Sequence, residues 1–303
     1  MLDLAIVIVN YNTKDLLRAC LRSVYASEGD FSYHVTVVDN ASQDGSLEMV
    51  RTEFPQARAI AAPVNGGFAY ANNIGLRAYG FGQDKPLDEL PRYALLLNPD
   101  TEVPPTALAE MLALMDARPE LGASGPRLIL PDGSLDKACR RAFPSPMSFV
   151  YRGLGLSKLF PTHPRFGQYN LTYLPEDQEI EVDSVVGAFM LVRREALEAA
   201  GLLDESFFMY GEDLDWAFRI KQAGWKIWYY PKVTVYHHKG AASKGNVKAR
   251  RAFYEAMAVF VRKHYKQQTH PLLYGAILTG IAVKGGIDVG MTWLRRQRME
   301  ASR

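Results

Sequence analysis

The first part of the chain repeats one pattern: a short unbroken apolar run, a few polar residues, then apolar positions spaced three and four apart. LAIVIVNYN (4–12) is continuous and largely β-branched, as expected of a strand covered on both faces. In TKDLLRACLRSVYAS, Leu16, Leu17, Cys20, Leu21 and Val24 share one helical stripe, with Thr13 placed to cap it. HVTVVDNAS (34–42) predicts a second strand, DGSLEMVRTEF a second helix, RAIAAP a third strand and GGFAYANNIGLRAYG a third helix. YALLLNPDTEV is a fourth strand, and PTALAEMLALMDARPE a fourth helix with Pro105 near its first turn. The alternation predicts an α/β fold, a Rossmann-like and mostly parallel central sheet flanked by helices. Ligands of such sheets bind beyond the C-terminal strand ends, which here read NYN, DNAS, NGG and NPD.

Beyond about residue 125 the pattern becomes irregular. SGPRLILPDGSLDKACRRAFPSP predicts paired short strands around a Pro-Asp-Gly turn, and 151–180 reads as a long loop or lid. EVDSVVGAFMLVRREAL returns to a strand running into a helix, KIWYYPKVTVYHHKG is a last strand pair, and VKARRAFYEAMAVFVRKHY is helical.

Composition narrows the function classes. With 303 residues, 48% hydrophobic, the chain can bury a sizeable core. A net charge of +2 argues against nucleic acid as the main partner. Cys20 and Cys139 alone cannot build a disulfide framework or a Cys-rich zinc site. The N-terminus lacks a basic segment before its short apolar run and reads as a strand, so a cytoplasmic location is expected. There is no GxxxxGK[ST], and no GxGxxG after the first strand, which argues against a P-loop kinase and a dinucleotide oxidoreductase.

Candidate chemistry sits at the strand ends. Asn98-Pro-Asp100 puts a carboxylate at the tip of a buried run, where a turn is the plain alternative. Asp39 can accept from the N3–H of a pyrimidine, and Asn40 and Ser42 offer donors to ribose or phosphate. Together the two tips favour a nucleoside-diphosphate site, with Asp100 reaching the diphosphate through a divalent ion. Gly66 and Gly67 precede a helix and permit close backbone approach, while Asn65, Asn72 and Asn73 add neutral donors. In FFMYGEDLDWAFRI, Glu212, Asp213 and Asp215 sit in a helix's first turn among aromatic residues. Helix capping explains the charge there, and a carboxylate raised by an apolar wall suits a general base. Both readings can hold, Glu212 and Asp215 capping while Asp213 faces the cleft. Of His237 and His238, adjacent on a strand, at most one sees the cleft, and His237 is favoured for a metal or phosphate role.

The ordered set VIVNYN, VVDNASQDGS, NGGFAYANNIG, LLLNPD, VVGAFMLVRR, FFMYGEDLDWAFRI and YHHKGAAS resembles the inverting family 2 glycosyltransferases of GT-A fold. The likeness is greatest to their bacterial rhamnosyltransferase-like branch and covers about residues 1–265. It implies a GT-A domain over 1–240, with a nucleotide-sugar half (about 1–125) and an acceptor half (about 126–240), then a helical extension, 241–303. It also implies Asp39 as the pyrimidine contact, Asn10 and Asn12 lining the base and ribose pocket, and Asn98 as a sugar or ribose contact. Asp100 would be the main ligand of a Mn²⁺ or Mg²⁺ ion, and His237, three residues before Gly240, a second. Asp213 would be the general base, Glu212 an acceptor contact, and Gly187 and Ala188 a small-residue stretch between donor and acceptor. The implied donor is a dTDP- or UDP-sugar, with rhamnose from dTDP-rhamnose first, and the acceptor a polysaccharide or lipid-linked saccharide. A sugar-nucleotide nucleotidyltransferase would want a Gly-rich basic loop after the first strand, which VNYNTKD lacks; a non-catalytic binding module is the remaining alternative.

The C-terminal stretch bears on location. LLYGAILTGIAV (272–283) gives twelve uncharged positions before Lys284, short of the roughly 20 that span a bilayer. Basic residues bracket it, Lys244 to Lys266 before and Arg295, Arg296 and Arg298 after. An interfacial helix over 269–303 on the inner face of the membrane is expected; a buried core helix or a homo-oligomer contact are the alternatives.

Overall fold

The computed structural model describes residues 2–239 and 247–301. Gly240, Lys244 and the side chains of Arg295, Arg296 and Arg298 lie outside the described residues. The chain runs β1 (Leu4–Asn10), α1 (Lys14–Tyr25), β2 (Tyr33–Asp39), α2 (Ser46–Glu53), β3 (Arg58–Ala61), α3 (Phe68–Ala78) and β4 (Tyr93–Leu97). Next come β5 (Thr101–Glu102), α4 (Ala107–Ala117), β6 (Leu121–Ile129), α5 (Pro146–Gly153), α6 (Leu156–Leu159), β7 (Ile180–Val182), β8 (Phe189–Arg193) and α7 (Arg194–Ala200). It closes with α8 (Glu212–Gln222), β9 (Lys226–His237), α9 (Val247–His264) and α10 (Pro271–Ala301).

The sheet has the order β3-β2-β1-β4-β8-β6-β9-β5, with β7 on β9. The first four strands are parallel to one another, as their unbroken apolar runs require. Antiparallel β8 enters between β4 and β6, and parallel pairing resumes between β6 and β9. Every residue of β1 and β4 is buried, so the core lies on both faces of the sheet. Gly75 lets α3 lie on β1, because a Cβ there would sit 2.4 Å from Val7.

Four local expectations need correction. Thr13 precedes α1 without capping it, since its hydroxyl donates to Asn10 Oδ1 at 2.7 Å. The last strand pair is one twelve-residue strand, β9; Pro231 has no N–H for the ladder, and the register with β6 slips between Tyr230 and Thr234. The 151–180 segment is not one structureless loop, since α5 and α6 occupy its start. Ser145 caps α5 by accepting from the Ser148 amide at 3.1 Å, with Pro146 in the first turn. Asp215 caps nothing: its carboxylate is fully enclosed and takes Arg219, Lys263 and His264. It therefore binds α9 to α8.

Helix α10 is continuous through Lys284. Ile277 and Ile281 pack on Tyr254 and Val261 of α9, and the Tyr254 hydroxyl donates to Asp288. Pro271–Leu294 is long and apolar enough to cross a membrane, and most of it is exposed.

Candidate functional site

The strand tips are wired together before any ligand is considered. Asn10, with no exposed surface, donates to Asp39 Oδ1 and to Ser42 Oγ, both at 3.0 Å. Its oxygen takes the Thr13 hydroxyl, so Asn10 braces Asp39 with every polar atom occupied. The Ser42 amide donates to Asp39 Oδ2 at 2.9 Å. Asn12, in a left-handed conformation at φ 54, accepts from the Gln43 amide at 2.7 Å. Asn40 donates to Asn65 Oδ1 at 2.9 Å and accepts from the Gly66 amide at 3.2 Å, tying β2 to the NGG loop. Asn73 departs from its expected place: its amide group is spent on the 203–205 segment, bonding the Leu203 carbonyl and amide and the Glu205 carboxylate. That makes it a clamp on the backbone ahead of the acidic segment.

The NGG loop meets that segment directly. The Phe68 amide donates to the Phe208 carbonyl at 2.9 Å. Gly67 has φ +93, and a Cβ there would lie 2.2 Å from the same carbonyl oxygen. A Cβ on Gly66 would strike the Tyr70 ring at 2.3 Å. Both glycines are required by packing.

Asp213 is held by residues from three segments of the chain. Its Oδ2 accepts from Arg141 at 2.8 Å and from the Gly187 amide at 3.1 Å, and its Oδ1 from the Leu214 amide at 2.8 Å. Next to Gly187, the Ala188 carbonyl takes the Asn98 amide at 3.0 Å, joining the acidic helix to the tip of β4. Burial opposes the charge of Arg141, but Asp213 and the Tyr169 hydroxyl outweigh it and drive its pKa up. The carboxyl with raised proton affinity is Glu212. Burial, and then the charge of Asp213, push it up to about 8, and its Oε2 has no hydrogen-bond partner among the described residues.

At the far strand tips, β5 pairs with β9 so that Thr101 opposes His237. Asp100 Oδ1 lies 3.3 Å and Asn98 Nδ2 3.4 Å from His237 Nε2. The other ring nitrogen faces Asp136 Oδ2 at 2.9 Å, and Lys239 reaches Asp136 Oδ1 at 2.5 Å. Burial works against a charged His237, yet Asp100 and Asp136 raise it to about 9. Burial also opposes the charge of Asp136, but His237 and Lys239 hold its carboxyl well below the usual range. His238 turns away to Glu102.

No cluster of three His, Cys, Asp or Glu side chains among the described residues is placed to hold an ion. Asp100 supplies a carboxylate, and His237 an imidazole once the ion replaces the proton on Nε2 that faces Asp100. Two donors fit a Mn²⁺ or Mg²⁺ whose remaining positions go to diphosphate oxygens and water. Arg141 and Asp136 are the site residues that sequence reasoning missed. The runs of charge in CRRAF and SLDK mark them only in retrospect, because their partners lie 72 and 101 residues away.

Comparison with known proteins gives the family and the fold. The profile of the family described as "Glycosyltransferase like family 2" matches residues 3–256. The N-acetylglucosaminyl-diphospho-decaprenol L-rhamnosyltransferase of Mycobacterium tuberculosis is 31% identical over 241 residues, 78% of this chain and 76% of its own length. The rhamnosyltransferase WbbL of Escherichia coli is 27% identical over 77% of this chain and 82% of its own. Among solved structures, the mannosyltransferase PcManGT of Pyrobaculum calidifontis, in complex with GDP-Man and Mn²⁺, has a TM-score of 0.56 at 17% identity, covering 99% of this chain and 75% of that one. TarS of S. aureus has a TM-score of 0.56 at 14% identity; the match covers 93% of this chain and only 43% of TarS. The fold is the GT-A fold.

Proposed function

The chain belongs to the glycosyltransferase like family 2, and from that premise we propose that it is an inverting transferase moving rhamnose from dTDP-rhamnose to a saccharide built on a lipid diphosphate. The names of two relatives support the sugar, and one of them supports the acceptor. The observation that carries the reading is the seat of Asp213. The Gly187 amide holds it one residue from the Ala188 carbonyl, which the Asn98 amide bonds at the donor-side strand tip.

A carboxylate offers about four lone-pair sites. Arg141, Gly187 and Leu214 take three on Asp213, leaving one, on Oδ1, for an acceptor hydroxyl. Asp213 takes that proton as the hydroxyl oxygen attacks the anomeric carbon, and the bond to the diphosphate breaks on the opposite face. Glu212, whose carboxyl burial holds protonated near neutrality, stands beside Asp213 in the first turn of α8 on the acceptor side. Asp39, braced by Asn10 and Ser42, receives the pyrimidine N3–H. Asp100 and His237 would hold a Mn²⁺ or Mg²⁺, which neutralises the charge on the departing diphosphate. Helix α10 lies along the inner membrane face; Leu272, Val283, Ile287 and Trp293 are exposed, whereas crossing would carry Lys284 and Asp288 through lipid.

The test is a screen of dTDP-, UDP- and GDP-sugars against the full chain, with and without Mn²⁺, read as heat stabilisation and nucleoside-diphosphate release. Stabilisation by dTDP-rhamnose, greater with Mn²⁺, is expected, with release that needs an acceptor. Absence of release from every donor–acceptor pair would refute the transferase reading.

A further inference from the structure

A cleft of about 370 Å³ opens beside α5 and α6, lined by Lys137, Arg152 and Lys158 together with Ser157, Tyr169 and Asn170. No acid lines it. The Arg152 guanidinium stands 4.7 Å from the Tyr169 ring centroid, which orients it without neutralising it. Cations gathered in one concavity repel one another, and a multiply charged oxyanion relieves that repulsion through charge-assisted bonds.

Two paths, one covalent and one hydrogen-bonded, tie the cleft to the site. Lys137 follows Asp136, the buried partner of His237. On the other side the Tyr169 carbonyl takes the Ala142 amide at 2.9 Å, and its hydroxyl faces Arg141, which holds Asp213. An apolar edge adjoins the cleft residues in sequence: Leu154 and Leu159, on or beside α6, are 70% and 69% exposed, and the Phe160 ring lies 5.8 Å from that of Phe166 in the cleft wall. Phe149 of α5 packs into the cluster that seats α10, so this edge adjoins the helix assigned above to the membrane face.

We propose that the cleft seats the diphosphate of the lipid-linked acceptor, with Lys137, Arg152 and Lys158 on the phosphates and Leu154, Leu159 and Phe160 along the first isoprenoid units. This rests on the acceptor class proposed above. It gives the acceptor sugar a fixed approach, anchored at one end while its hydroxyl reaches Asp213.

The probe is geranyl diphosphate, titrated calorimetrically into the full chain at constant ionic strength, with geraniol, inorganic pyrophosphate and dTDP in parallel. Geranyl diphosphate should bind more tightly than geraniol or pyrophosphate. R152Q/K158Q should weaken it about tenfold or more, the scale of lost charge-assisted bonds, while dTDP affinity stays within about twofold. The charge-conserving R152K/K158R should recover most of the loss. Unchanged geranyl diphosphate binding in R152Q/K158Q overturns the proposal, as does pyrophosphate binding as tightly as the lipid. An equal loss of dTDP overturns it too, by giving the cleft to the donor. A wild-type chain that binds neither dTDP nor UDP sinks the transferase reading instead, and the geranyl diphosphate comparison still decides the cleft.

Discussion

Arg141 Nη2 and Asp213 Oδ2 form an enclosed ion pair at 2.8 Å, 72 residues apart in sequence. Truncating one partner strands the other's charge. Arg141→Met should cost about 3–5 kcal/mol in denaturant unfolding and abolish transfer. Arg141→Lys keeps the charge but not the fork of donors, and should retain most stability with reduced turnover.

Asp213→Asn keeps the shape and removes the proton acceptor. Turnover should fall by about 10²–10⁴, with the Kd of dTDP or UDP little changed. Transfer at the wild-type rate would displace Asp213 as base and direct attention to Glu212.

Asp100→Ala removes the carboxylate facing His237 Nε2. The expected outcome is loss of the Mn²⁺-dependent part of dTDP-sugar binding, with the metal-independent part preserved. Equal binding with and without Mn²⁺ in both proteins would remove Asp100 from that role.

Burial and Asp213 raise the Glu212 carboxyl to about 8 in the folded state, against an ordinary 4.5. An acid raised in the folded state contributes stability that is full below the lower value and is lost as pH climbs through the higher one. Melting temperature should therefore decline across that window for a reason Glu212→Gln removes. At pH 8.5 the variant should melt several degrees higher, on a scale of about 2–4 °C per kcal/mol. A parallel decline in both proteins would contradict it.

Asp215 titrates in the opposite sense. Burial raises its pKa, but His264, Lys263 and Arg219 prevail and lower it, so its contribution is present above 3.8 and lost as pH falls below. Asp215→Asn should cost about 3 kcal/mol or more and speed amide hydrogen exchange in α9 ahead of the sheet. Uniform acceleration across the whole chain would deny it a specific hold on that helix.

Strands β1 and β4 were legible because they are buried on both faces. LAIVIVN and YALLL carry no alternation to misread, and the polar residue ending each run stands at the ligand edge. The acidic segment announced itself by charge among aromatics, though the pattern could not tell that Arg141 pairs Asp213 while Glu212 is buried with one oxygen unpaired among the described residues. Arg141 and Asp136 stayed hidden because each lies in an irregular segment, where no periodicity assigns a face. Asp215 looked like a cap until α9 supplied its partners, a contact that no local pattern encodes.

The bond from the Phe68 amide to the Phe208 carbonyl stitches the loop after β3 to the loop before α8. The two loops thus lean on each other's backbone. Variants selected for a new sugar nucleotide by altering residues 65–68 should show altered saturation by the co-substrate as well. Engineers seeking independent control of the two specificities would do better to begin at residues remote from that seam.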